Sequence, residues 1–281
     1  FDSLEIFSMA PPSSGGLVMG KILKLLEPYD FSGWSPHTPE YIHLFCEASR
    51  LAYADRATHL GDPDFYQIPG GLLDSAYLAS RRLLIKVDRA NVSNEISAGN
   101  PPDGEPSNTT HFSVADADGN IVSLTYTLND SFGSFLTAGT AGFLLNNEMD
   151  DFSIKPGVAN LYGLIGGEAN AIAPGKRMLS SMSPTIVLVD HQPVLVLGSP
   201  GGSKIITAVA QAIIDFDRYG LSPSEIVRVP RFHHQWKPDE ITLEKGAPQF
   251  SNDIKAALEL LGHTLVEKAP STDIHLIEIS R

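Results

Sequence analysis

The sequence contains very little cysteine, and this scarcity excludes two kinds of structure. Cys46 is the single cysteine among 281 residues, so no intrachain disulfide can form. A metal cluster held by several thiolates is excluded for the same reason. Because Cys46 lies in an apolar stretch (residues 41–46), we expect its side chain to belong to the core.

Positive charge and long apolar runs are also scarce. Lys and Arg number 20 against 33 Asp and Glu, which gives a net charge of −13, and no basic run occurs. Nucleic-acid affinity depends on neutralising phosphates, so no nucleic-acid partner is expected. The longest apolar runs, such as residues 185–189, are far shorter than the ~20 residues that a membrane span needs. We therefore expect no membrane span.

The first residues lack the basic region and the long apolar stretch of a signal peptide, and no initiator Met is present. We therefore expect this chain to be a piece of a longer one.

Apolar residues at helical spacing predict three helices in the first 86 residues. The first covers residues 17–26 with Ser13 or Ser14 as its cap, the second covers 38–59 with Pro39 in its first turn, and the third covers 72–85. Residues 88–108 lose this periodicity and are rich in Asn, Ser, Gly, Pro, Asp and Glu. We interpret this segment as an exposed connector that is open to cleavage.

Strand patterns follow the connector. An Asp-Gly turn between residues 110–115 and 121–127 predicts a hairpin. Two further strands are predicted at 184–189 and 194–197, and a glycine turn (198–202) then leads into an apolar helix at 204–219. The tail predicts a helix at 252–261 and strands at 264–267 and 274–279.

Two glycine-containing segments superficially resemble ion-binding loops. Residues 116–120 open like a calcium loop, but the glycine is misplaced and Thr127 stands where a bidentate Glu is needed, which favours a plain turn. Residues 198–204 resemble a phosphate loop, but Ser203 replaces the second glycine and Ile205 replaces the Ser or Thr. The backbone N–H groups of such a strand-to-helix turn suit an anion or an oxyanion, although a simple tight turn fits equally well.

Adjacent His233 and His234 could indicate a metal site. On an extended backbone, however, neighbouring side chains point to opposite faces, and no third ligand follows at zinc spacing. We interpret both as structural histidines and predict neither a metal nor a cofactor.

Eight motifs, in the same order along the chain, resemble the γ-glutamyltranspeptidase family of N-terminal nucleophile hydrolases. They are PPSSGG (11–16), YADR (53–56), GDPDF (61–65), TTHFS (109–113), LNNEMDDF (145–152), LSSMSPT (179–185), GSPGGS (198–203) and PRFHHQW (230–236). The resemblance covers nearly the whole chain and corresponds to the C-terminal half of the family's precursor.

The resemblance implies an α+β fold, namely the four-layer αββα sandwich of these hydrolases. The sandwich would be incomplete here, because the chain corresponds to only part of the precursor. It also implies self-cleavage between Asn108 and Thr109. Residues 1–108 would then form the C-terminal part of a large subunit, and 109–281 a small catalytic subunit. Without the resemblance, the threonine pair at 109–110 is more typical of an ordinary strand.

Catalytic roles are carried over by position. Thr109 matches the nucleophile, whose hydroxyl needs a base; the α-amino group that cleavage frees has a pKa near ~8 and lies within reach of it. Thr127 matches the threonine that assists the nucleophile. Gly201 and Gly202 match the pair of backbone N–H groups that form the oxyanion hole.

Substrate-binding roles follow in the same way. Asn129, Glu148 and Asp151 match positions that hold the α-amino group of the glutamyl donor, for which acidic side chains are well suited. Ser180 and Ser181 match positions that help to bind its α-carboxylate. Tyr162 matches a lid loop, which should exclude water from the site.

The implied function is hydrolysis of glutathione and other γ-glutamyl amides, or γ-glutamyl transfer to amino acids, peptides or water, in the periplasm or after secretion. The N-terminal half of the precursor is an expected partner. Two alternatives are an acylase for glutaryl-type cephalosporins, which would have no use for Glu148 with Asp151, and an unprocessed, non-catalytic fragment.

Overall fold

The computed structural model describes residues 1, 3–102, 114–116 and 118–279. Its α-helices are α1 (Gly15–Leu26), α2 (Pro39–His59), α3 (Ser75–Arg82), α4 (Ile205–Asp217), α5 (Pro223–Ile226) and α6 (Asn252–Leu260). Its strands are β1 (Glu5–Ser8), β2 (Val114–Ala115), β3 (Ile121–Val122), β4 (Thr185–Val189), β5 (Gln192–Gly198), β6 (Phe232–His233), β7 (Ile241–Glu244), β8 (Leu265–Lys268) and β9 (His275–Glu278). Short 3₁₀ helices lie at Gly70–Leu73, Gly139–Ala141, Glu148–Asp151, Glu168–Asn170 and Gly202–Lys204.

The main sheet has four antiparallel strands in the order β1-β4-β5-β9. β5 is a central strand and buries Val194 to Leu197, which fits its continuous apolar sequence. A bulge between Val187 and Leu188 interrupts the pairing of β4 with β5. Because β5 ends at Gly198, this sheet sets the position of the glycine turn that follows.

Helices α1, α2 and α4 form a layer whose apolar side chains share one core with the main sheet. α1 packs on both α2 and α4, and β1 pairs with β4. Residues on both sides of the predicted cleavage point therefore belong to the same core, so we expect the two pieces to stay together after cleavage.

Two smaller sheets complete the described structure. The β2-β3 hairpin is antiparallel, and β6, β7 and β8 form a sheet in which β7 and β8 run parallel. This mixture of helices with mainly antiparallel sheets confirms the predicted α+β class. Within the described ranges, none of the helices is both long and apolar enough to cross a bilayer.

Most predicted elements are present with small changes at their ends. The third helix is shorter than the predicted 72–85, because Asp74 caps it by accepting hydrogen bonds from the N–H groups of Ala76 and Tyr77. Within the described residues, the predicted hairpin pairs Val114 with Val122 and Ala115 with Ile121. Cys46 is buried, as expected. Four elements that the sequence did not predict, β1, β6, β7 and α5, are only two to four residues long.

Most residues in the described part of the predicted connector, 88–102, are exposed or half-buried, but a few side chains are anchored in the core. Asn91, Ser93 and Ile96 are buried. The indole N–H of Trp236 donates to the carbonyls of Ser93 (2.8 Å) and Ile96 (2.9 Å). A segment without periodicity is thus held by its polar groups and one aromatic contact, which a compositional pattern does not show.

Candidate active site

The turn between β5 and the helix α4 contains two glycines in backbone conformations that other residues rarely adopt. Gly201 has φ = +136° and Gly202 has φ = +57°. A Cβ on Gly201 would lie 2.8 Å from Cγ2 of Thr272, and one on Gly202 would lie 2.4 Å from the ring of Tyr162. Both conformation and space therefore require glycine here.

Neighbouring side chains hold this turn in place. The hydroxyl of Tyr53, on α2, donates to the carbonyl of Ser203 (2.6 Å). The hydroxyl of Ser199 donates to the carbonyl of Pro200 (2.6 Å) and accepts from the N–H of Asp273 (3.1 Å). Because the turn begins a helix, a fixed pair of N–H groups at this point is suited to stabilising negative charge.

Tyr162 connects the glycine turn to two further predicted site residues. Its ring lies against Gly202, and its hydroxyl donates to the carbonyl of Asn129 (2.5 Å). Asn129 has φ = +74°, and its N–H donates to Oγ1 of Thr127 (2.8 Å). Gln235 holds the backbone of Tyr162 from the other side by donating to its carbonyl (3.0 Å). The structure thus brings Thr127, Asn129, Tyr162 and Gly202 together.

Glu148 and Asp151 lie on one 3₁₀ helix together with Asp150. Burial raises the pKa of Asp151 to about 7, with a further contribution from the negative charge of Glu148. Burial also raises the pKa of Glu148. Since the two carboxyl groups disfavour each other's ionised form, a bound cation such as an ammonium group would relieve both.

Ser180 and Ser181 lie in the loop before β4, and the segment before α1 clamps this loop. The carbonyl of Ser180 accepts from the N–H of Ser14 (2.8 Å) and from its hydroxyl (2.8 Å). Ser13 donates to the carbonyl of Met182 (2.7 Å), and a Cβ on Gly15 would lie 2.2 Å from that same oxygen. The motif at 11–16 therefore serves to fix the position of the two serines.

One residue of this region escaped the sequence analysis altogether. Arg56, on α2, donates from Nε to Oγ of Ser14 (2.9 Å) and from Nη2 to Oγ of Ser181 (3.2 Å). Its motif, residues 53–56, was recognised only as part of the resemblance. The signal that could have singled it out is its place inside a helix that is buried along most of its length.

Asn108 and Thr109, the predicted cleavage point and nucleophile, lie outside the described residues. The turn interpretation of residues 116–120 is confirmed, because the carboxylate of Asp116 accepts from the N–H groups of Asp118 and Asn120 (both 2.9 Å).

The histidine pair is structural, as predicted. His233 is hydrogen-bonded to Thr207 and Gln235 (both 2.7 Å), whereas His234 accepts from the N–H of Trp236 (3.1 Å). Burial lowers the pKa of His233 to about 3, so this ring is neutral at physiological pH.

Another buried cluster, His43, Glu47 and His263, places three potential metal-ligating atoms within 4.8 Å of one another. Each atom already has a hydrogen-bond partner. Nδ1 of His43 lies 2.7 Å from Nε2 of His263, and the carboxylate of Glu47 accepts from Asn91 and from Nε of Arg50 (3.1 Å). The internal hydrogen bonds therefore account for this cluster without an ion.

The fold is that of the N-terminal nucleophile hydrolases. It matches a cephalosporin acylase from Bacillus halodurans with a TM-score of 0.77 over 95% of this chain and 45% of that chain, at 23% identity, a likeness that concerns the fold alone. It also matches an acivicin-inhibited gamma-glutamyltranspeptidase, with a TM-score of 0.59 and 55% identity over 62% of this chain and 91% of that chain.

Sequence comparison defines the family. The sequence model for gamma-glutamyltranspeptidase matches residues 1–281. A glutathione hydrolase proenzyme of Escherichia coli (strain K12) is 49% identical over 265 residues, covering 94% of this chain and 45% of the relative. An acylase ACY 1 proenzyme of Pseudomonas sp. (strain SE83) is 35% identical, covering 93% of this chain and 44% of the relative. The chain belongs to the gamma-glutamyltranspeptidase family and spans about half the length of the curated relatives it matches.

Proposed function

We propose that the protein containing this chain cleaves γ-glutamyl amides such as glutathione through a γ-glutamyl ester on Thr109. It transfers the acyl group to amino acids, peptides or water. The observation that carries this proposal is the proximity of a glycine turn, an acidic helix and a serine loop in a chain of this family. The charge of Asp151 acts both on Tyr162, whose ring lies against Gly202, and on Arg56, which binds Ser181. The site would act in the periplasm or outside the cell, together with the preceding half of the precursor.

The chemistry begins with self-cleavage. The hydroxyl of Thr109 attacks the carbonyl carbon of Asn108, and breakage of the peptide C–N bond leaves an ester and frees the α-amino group of Thr109. Water then hydrolyses this ester, which releases the carboxylate of Asn108 and restores the hydroxyl of Thr109. That amine, neutral in part near pH 8, then accepts the hydroxyl proton when Thr109 attacks the γ-carbonyl of a donor. The proton passes to the departing amine, and an acceptor amine or water later attacks the ester and regenerates the hydroxyl.

Residues of the described site have complementary roles in this scheme. The N–H groups of Gly201 and Gly202 stabilise the oxyanion of each tetrahedral intermediate. The raised pKa of Asp151, beside Glu148, indicates a subsite that favours the donor's α-ammonium group. Ser180 and Ser181 supply hydroxyl groups for the α-carboxylate, and Thr127 assists the nucleophile.

The acylase relative supports a second candidate, hydrolysis of glutaryl side chains. A glutaryl group lacks the α-ammonium, so the paired carboxyl groups of Glu148 and Asp151 would face no cation. These two side chains favour the γ-glutamyl donor. A higher kcat/KM for glutaryl anilide than for γ-glutamyl anilide would reverse this choice.

Mass spectrometry of the purified protein tests the proposal most directly. We expect a new N-terminus at Thr109 and, on a denaturing gel, separation of the chain after residue 108. Thr109→Ala removes the nucleophile and should leave the chain uncut and inactive. An intact bond between residues 108 and 109 in wild-type protein would instead support the non-catalytic alternative.

The hydrogen bond of Tyr162 leads to a second prediction. Tyr162→Phe removes the hydroxyl that donates to the carbonyl of Asn129, and one such bond contributes roughly 1 kcal/mol. We expect the lid to open more often, so that the ratio of transfer to hydrolysis at a fixed acceptor concentration falls about fivefold. Tyr126→Phe is the control, because Tyr126 is 84% exposed. An unchanged ratio in Tyr162→Phe would contradict the lid role.

A further inference from the structure

Arg56 is a buried cation next to the proposed donor subsite. Its side chain is only 4% exposed, although it carries a full positive charge. Among the described residues Arg56 forms no ion pair within 4.0 Å, although the charge of Asp151 acts on its guanidinium from a greater distance. Burying an unpaired charge is costly. A cation kept in such a place needs an explanation beyond packing.

The hydrogen bonds of Arg56 have a fixed direction. A guanidinium can only donate, so the hydroxyl oxygens of Ser14 and Ser181 must both accept from it. The hydroxyl hydrogen of Ser14 is then directed to the carbonyl of Ser180, 2.8 Å away. The hydroxyl of Ser181 has no acceptor within the part of the chain that the structure describes. Among the described residues it is therefore a donor without an acceptor.

We propose that Arg56 is a positioning residue that makes Ser181 an obligatory hydrogen-bond donor and thereby selects donors with an α-carboxylate. Ser181 is 8% exposed and lies at the proposed carboxylate subsite. A carboxylate is the acceptor that completes the chain from the guanidinium N–H through the Ser181 hydroxyl, and it brings a negative charge to a cation that forms no close ion pair with a described residue. This inference rests on the proposed function and adds a determinant of substrate choice to it.

Arg56 binds two serines at the same time, which makes lysine a poor substitute. Its Nε and Nη2 reach two different serines, Ser14 and Ser181, which belong to segments 167 residues apart in sequence. The planar guanidinium holds both at once, whereas an ammonium group is a single point of attachment. We therefore expect Arg56→Lys to restore only part of the function.

Discrimination between two donors tests the proposal. L-γ-Glutamyl-p-nitroanilide carries the α-carboxylate, and 4-aminobutanoyl-p-nitroanilide is the same compound without it. We expect Arg56→Gln, made in the full-length protein, to lower kcat/KM for the first about 10-fold or more, mainly through KM, and to leave the second nearly unchanged. The ratio of the two values therefore falls about 10-fold, with Arg56→Lys in between.

Arg50→Gln is the matched control. Arg50 lies on the same helix and is 1% exposed, but it is bound to Glu47, Ser93 and Asp239, away from the serine loop. A merely structural effect would reduce both donors equally, as we expect for Arg50→Gln. If Arg56→Gln keeps the wild-type ratio, the inference is wrong while the proposed function stands.

Two further outcomes are informative. If wild-type protein turns over neither donor, the proposed function itself fails. If Arg56→Gln does not mature, Ser14→Ala replaces it in the test, since it removes one of the two attachments of the arginine. A fall in the donor ratio of Ser14→Ala supports the inference, and an unchanged ratio contradicts it.

Discussion

Gly202→Ala is expected to lower kcat for γ-glutamyl donors about 100-fold or more, measured by steady-state kinetics. The new Cβ would lie 2.4 to 2.7 Å from three ring carbons of Tyr162, so that either the ring or the turn must move. Movement of the turn misdirects an N–H group of the proposed oxyanion hole, and losing one such donor typically costs ~3 kcal/mol of barrier.

A second glycine separates this effect from simple backbone strain. Gly220 has φ = +60°, nearly the same as Gly202, but a Cβ there would meet no atom within 4 Å. Gly220→Ala should therefore lower the free energy of unfolding by about 1 kcal/mol and leave kcat unchanged. If both variants lost the same small amount of activity, the turn would have no special role in catalysis.

The sequence predicted the elements around this turn well, because their signals are local. Continuous apolar residues define β5, helical spacing defines α4, and the glycines between them mark a turn. Short strands such as β6 and β7 carry no comparable signal, since two and four residues are too few to show a clear alternation of apolar and polar side chains.

The candidate site also contains both residues that the sequence predicted and a residue that it did not. The resemblance supplied Ser181 and Asp151, which the structure places near one another through Arg56. It did not supply the role of Arg56, because the contact between Arg56 and Ser181 spans 125 residues. Whether a hydroxyl group donates or accepts a hydrogen bond depends on all the polar groups around it. Only the three-dimensional structure shows which groups these are.

Asp151→Asn is expected to change activity and stability in opposite directions. The substitution removes the charge that would pair with the donor's ammonium group, so kcat/KM for γ-glutamyl-p-nitroanilide at pH 8 should fall about 100-fold. At the same pH, the thermal midpoint of unfolding should rise by a few degrees. Exposed Asp88 is the control, since Asp88→Asn also removes one negative charge and should change neither quantity.

The sign of the stability change follows from the pKa of Asp151. Burial, together with the charges of Glu148 and Asp150, raises this pKa from 3.8 to about 7, although the positive charge of Arg56 lowers it. Below about pH 4 the carboxyl group is protonated in both folded and unfolded chains. Between about pH 4 and pH 7 the carboxyl group loses its proton in the unfolded chain but keeps it in the folded chain. A rise in pH through this range therefore favours the unfolded chain, and the free energy of unfolding falls until the pH reaches about 7.

Asparagine does not titrate, so the difference in melting temperature between Asp151→Asn and wild type should be near zero at pH 4 and reach its full value above pH 7. Wild-type KM for the donor should rise as the pH falls through about 7, because a neutral carboxyl group attracts an ammonium group less strongly. A variant that is less stable than wild type at pH 8 would show that Asp151 is held as a carboxylate by interactions that compensate its burial. In that case the subsite would not be poised to receive a cation, and the assignment of the donor's α-amino group to this helix would be wrong.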